Sequence, residues 1–85
     1  MVKKYATPTK TIVTKVGNYI CKELEEAKRL SISYEKAQNN GFIASMLNIS
    51  VKQVAEIRQF FETDIFNPTA DDQKLITKYF SLPEV

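Results

Sequence analysis

Lys52, Glu56 and Gln59 fall on one side of the stretch VKQVAEIRQFF (51–61), while Val54, Ile57 and Phe61 take the other side. A spacing of three or four residues returns a side chain to the same helical face. An ammonium, a carboxylate and an amide on a face not needed for packing are hydrogen-bonding groups for a partner. That is the chemistry of recognition. The chemistry of bond making is missing. The chain has no His, hence no imidazole base and no His-ligated metal. Cys21 is the single thiol, has no activating pattern and reads as a small half-buried hydrophobe on a helix. Asp71 and Asp72 suit the start of a helix better than shared-proton chemistry. Gly17 and Gly41 lie 24 residues apart, so no Gly-rich loop cradles a phosphate. The expectation is a protein that is not an enzyme and uses no cofactor and no metal.

The elements that must carry this face are helical. The chain has 85 residues, is 44% hydrophobic, and holds two Gly and three Pro. That composition predicts one small all-α domain of four to five helices over residues 9–85, preceded by a flexible basic arm at 1–8. Thr9 or Thr11 caps a long first helix running to about Leu30. Val13, Val16, Ile20, Leu24 and Ala27 form its apolar face. The β-branched run TIVTKV also suits a strand, and Gly17 weakens a helix interior, but length favours the helix. Ser33 caps a short helix from Tyr34 to Asn39, and Asn40–Gly41 ends it. Further helices follow over Phe42–Leu47 and from a Ser50 cap to Thr63. The last, short helix begins either with Pro68 at its first position or with Thr69 as cap, and Pro83 terminates it. Phe60 falls off the core face in this scheme.

The apolar rhythm changes phase at LNIS (47–50). Ile43, Ala44 and Leu47 share one short face, and Val54 and Ile57 share the next. Two short helices joined this closely pack at a steep angle. Ala44 permits a close crossing, and Asn48 tolerates the positive φ of a sharp turn. IASMLNISVKQVAEI resembles a helix-turn-helix DNA-binding motif, with Ala44, Asn48, Ile49, Val54 and Ile57 at the family's fixed offsets. Asn48 stands where the family usually has Gly. The quoted motif covers 15 of the chain's 85 residues. It implies that the second helix enters the major groove of double-stranded DNA. By family position Val51, Lys52, Ala55 and Glu56 face bases, while Ser50 and Gln53 reach phosphates or bases. Lys52 suits guanine O6 or N7, Glu56 cytosine N4, and Val51 or Ala55 a thymine methyl. Helical geometry leaves Lys52, Glu56 and Gln59 outward and puts Val51 nearer the core side. The plainer reading of Lys52 and Glu56, four residues apart, is a surface ion pair.

Charge sets the condition on this reading. Residues 1–22 carry +5 from Lys3, Lys4, Lys10, Lys15 and Lys22, and residues 23–85 carry −3. The motif itself carries Lys52 and Arg58 against Glu56, too little to neutralise phosphates alone. The arm, with Lys3, Lys4 and Lys10, or the first helix, with Lys15 and Lys22, has to supply the rest. The expected function is a small transcription regulator of bacterial or phage type, cytoplasmic and acting as a homodimer. The alternative is a helical protein-interaction factor, such as a phage protein docking on a host enzyme or polymerase. The acidic body and the aromatics Phe60, Phe61, Phe66, Tyr79 and Phe80 motivate that alternative. No apolar run is long enough to suggest a membrane span.

Overall fold

A computed structural model describes residues 5–84, all of whose regular structure is helical: α1 Lys10–Leu30, α2 Tyr34–Ala37, α3 Asn40–Leu47, α4 Val51–Phe61 and α5 Ala70–Phe80. Side-chain caps set the starts. Thr9 accepts from the Ile12 amide at 3.2 Å, Ser33 from Lys36 at 3.4 Å, Asn39 from Phe42 at 3.0 Å and Ser50 from Gln53 at 3.0 Å. Each satisfies an amide that has no partner inside its helix. Thr69 and Asp72 close a reciprocal capping box on α5, so Pro68 lies outside that helix rather than at its first position. Two helices end on left-handed residues, α1 at Ser31 (φ 54°) and α3 at Asn48 (φ 54°).

Three boundaries differ from the sequence expectation. α2 is shorter, α3 starts two residues earlier because Asn39 caps it, and α4 stops at Phe61. Ala6 packs against the core, and its amide donates to the Asn48 carbonyl at 2.8 Å. Ala6 is therefore tied to the α3–α4 turn. Lys3 and Lys4 lie outside the described residues.

The core joins Val13 and Val16 of α1, Ile43 and Ala44 of α3, Ile49 of the turn, Val54 and Ile57 of α4, and Tyr79 of α5. Val16, Ile43, Val54 and Ile57 are wholly buried, each contributing roughly 1.5–3 kcal/mol against exposure to water. Leu24, expected on the inner face of α1, is exposed. Phe60 and Phe61 exchange their expected places. Phe60 packs on the core with its centroid 5.0 Å from that of Tyr79, while Phe61 is half exposed and lies over Gly17. The start of α1 meets the end of the chain: the Lys10 amide donates to Pro83 O at 2.7 Å and Thr11 Oγ1 to Glu84 O at 2.7 Å.

One buried ion pair ties four helices together. Arg58 of α4 is 5% exposed. Its guanidinium donates to Asn40 of α3, to the Tyr34 hydroxyl of α2 at 2.6 Å and to Glu23 of α1 at 2.7 Å. Glu23 also accepts the Asn39 amide at 3.0 Å. Arg58, counted with Lys52 in the motif's positive charge, is paired inside the protein and leaves that charge smaller still. No helix among the described residues is long and apolar enough to cross a membrane.

Candidate nucleic-acid interface

The site is built from the turn upward. Asn48 takes the left-handed conformation, Ala44 is buried at the crossing and Ile49 anchors the turn in the core. Ser50 then starts α4. With Val54, Ile57 and Arg58 facing inward, the helix leaves Val51, Lys52, Ala55 and Gln59 as a strip in solvent, apart from the half-exposed Phe61 at its end. Val51, expected nearer the core side, is 53% exposed. It is the first residue of the helix.

Gln53 and Glu56 do not belong to that open strip, because α5 flanks them. Gln53 Nε2 donates to the Tyr79 hydroxyl, and that hydroxyl donates to Glu56 Oε1 at 2.7 Å. Lys78 Nζ donates to the same Oε1 at 2.5 Å. The expected ion pair of Glu56 with Lys52 is therefore replaced by one with Lys78, across two helices. Hydrogen bonds from Lys78 and then Tyr79 hold the Glu56 carboxyl below the usual carboxylate range. Burial, followed by the bond to Glu56, pushes the Tyr79 phenol above its ordinary range. Ser50 is partly covered, its hydroxyl oxygen accepting from the Gln53 amide.

The basic residues of α1 form their own strip. Lys10 and Lys15 line a shallow groove with Thr11, Thr14, Asn18 and Glu84. Lys15 and Lys22 line the next with Asn18 and Tyr19. Neither groove includes a residue of α4. The strip reaches α3 through Tyr19, whose ring meets that of Phe42 edge to face at 5.9 Å. Lys22 Nζ sits 5.4 Å from the Tyr19 ring centroid.

The sequence does not reveal Lys78 and Tyr79 of α5 as neighbours of α4. The only local signal was the Lys74–Lys78 spacing, which puts two cations on one face; which helix they would adjoin depends on how α5 folds back. Among the described residues no group of His, Cys, Asp or Glu is arranged to hold a metal ion. Cys21, expected half-buried, is exposed and free. No protein-family model matches the chain, and no curated protein and no solved structure matches it either.

Proposed function

We propose that the chain binds double-stranded DNA through α4, as a small regulator of the helix-turn-helix type. The observation that carries the reading is the solvent strip Val51, Lys52, Ala55 and Gln59 on a helix anchored by Ile49, Val54 and Ile57 behind a left-handed Asn48 turn. In this reading Lys52 and Gln59 donate to base edges or phosphates, and Val51 and Ala55 contact thymine methyls. The Ala6–Asn48 bond supports a role for the N-terminal lysines, because Lys3 and Lys4 precede a residue tethered at the turn before α4. Lys10, Lys15 and Lys22 add a backbone-contacting strip on α1.

Titration of fluorescent duplexes at rising salt tests this. About four phosphate contacts per chain give a slope of log affinity on log salt near −7 for a dimer. Lys52→Ala and removal of residues 1–4 each weaken binding, and the deletion spares the Ala6 anchor. Absence of binding at low salt, or binding indifferent to both changes, refutes the reading. A second reading, docking on a protein partner, draws on the exposure of Ile65, Phe66 and Phe80. Co-purification of one partner that survives nuclease treatment favours it over DNA binding.

A further inference from the structure

The Gln53–Tyr79–Glu56–Lys78 cluster does more than fasten α5. Its hydrogen bonds run in one direction. The Gln53 amide donates into the Tyr79 hydroxyl, so that hydroxyl directs its own proton to Glu56. Lys78 arrives at the same carboxylate oxygen. Both bonds go to Oε1. Oε2 accepts no hydrogen bond among the described residues and is not buried. Glu56 stands one turn beyond Lys52 and three residues before Gln59, at the border between the open strip of α4 and the side that α5 covers. Its side chain is 29% exposed.

We propose that α5 presets Glu56 as a base-reading acceptor: Lys78 and Tyr79 hold Oε1 so that Oε2 meets the exocyclic amino group of a cytosine or an adenine in the major groove. This rests on the DNA-binding reading above. A lone carboxylate is repelled by phosphates and loses side-chain freedom on binding. Here the Lys78 ammonium offsets the first cost, and two bonds from another helix remove much of the second before DNA arrives. A preset acceptor rejects a base edge that offers no donor, since the carboxylate is then desolvated without a partner. Lys78 and Tyr79 are positioning residues in this scheme, and Gln53 orients the hydroxyl between them.

The test is selection of bound sequences from randomised duplexes by the full chain, followed by affinities for duplexes changed one base pair at a time. The wild type is expected to prefer one amino-bearing base at one position by roughly tenfold. The base selected distinguishes cytosine from adenine. Glu56→Ala abolishes that preference. Lys78→Met and Tyr79→Phe reduce it to about two- or threefold, leave preferences elsewhere unchanged, and keep the helical circular dichroism of the wild type. Lys78→Arg restores it. An unchanged preference in Lys78→Met and Tyr79→Phe overturns the proposal. So does a uniform loss of affinity with a salt slope shallower by about one, which makes Lys78 a phosphate contact only. Salt-dependent binding with no base preference at any position also overturns it while leaving the DNA-binding reading intact. Failure to bind any duplex removes both.

Discussion

Replacing Arg58 by Met separates two roles for the same cation. If Arg58 is the inner clamp, its removal strands the Glu23 carboxylate, whose side chain is 12% exposed, with only the Asn39 amide as partner. Leaving one member of a buried ion pair uncompensated costs about 3–5 kcal/mol. A domain of this size has about 5–10 kcal/mol of total stability. Each kcal/mol shifts the midpoint by about 4–8 °C, so Arg58→Met lowers Tm by roughly 12–40 °C. The double variant Arg58→Met, Glu23→Leu removes both charges. It leaves the Tyr34 hydroxyl and the Asn40 side-chain oxygen without their donor and the Asn39 amide without its acceptor, all on residues that reach solvent, a cost of about 1–3 kcal/mol. The double variant is therefore more stable than the single one. Thermal and urea unfolding followed by circular dichroism measure both. An Arg58→Met protein within about 1 kcal/mol of wild type refutes the clamp, as does a double variant less stable than the single. The opposite role, a cation for DNA, requires Arg58→Met to keep its melting temperature and lose duplex affinity.

Asn48→Ala places a Cβ-bearing residue without a helpful side chain at φ 54°, and urea unfolding is expected to show a loss of about 1 kcal/mol, whereas Asn48→Gly is neutral or slightly stabilising. Gly17→Ala brings a Cβ to 3.0 Å from the tip of the Phe61 ring; the half-exposed ring yields, and the gain in helix propensity leaves the protein more stable by up to about 1 kcal/mol in the same assay. The urea midpoint should fall on both sides of neutrality. Glu56, lowered from 4.5, contributes stability present above pH 4.5 and lost as pH falls through its folded value. Tyr79, raised from 10.0, contributes stability present below pH 10 and lost as pH rises beyond it. Glu56→Gln flattens the acid limb and Tyr79→Phe the alkaline one.

What was legible in the sequence was local. Thr9, Ser33, Ser50 and Thr69 cap helices within three residues of themselves, and Asn48 makes a turn by its own conformational tolerance. The phase break at LNIS and the buried faces of α3 and α4 follow from spacing alone. The side chains that were misplaced depend on distant neighbours. Arg58 is buried because Glu23, 35 residues earlier, and Tyr34, 24 residues earlier, converge on it. Phe60 and Phe61 are adjacent, and only the return of Tyr79 decides which turns inward. Glu56 has two eligible lysines; helical spacing favours Lys52, and the docking of α5 delivers Lys78. Helical angle alone puts Val51 nearer the core side, yet at the first residue of α4 it is exposed.

The bonds from Lys10 to Pro83 and from Thr11 to Glu84 have a topological meaning. The described chain returns to its own beginning, so it is close to a ring with one gap. The connection around Ile65 and Phe66, both exposed, lies away from that junction. The order in which the helices are strung therefore matters less than which of them touch. A chain opened between Asp64 and Asn67 and joined across its old ends would carry the same helix-to-helix contacts in a different reading order.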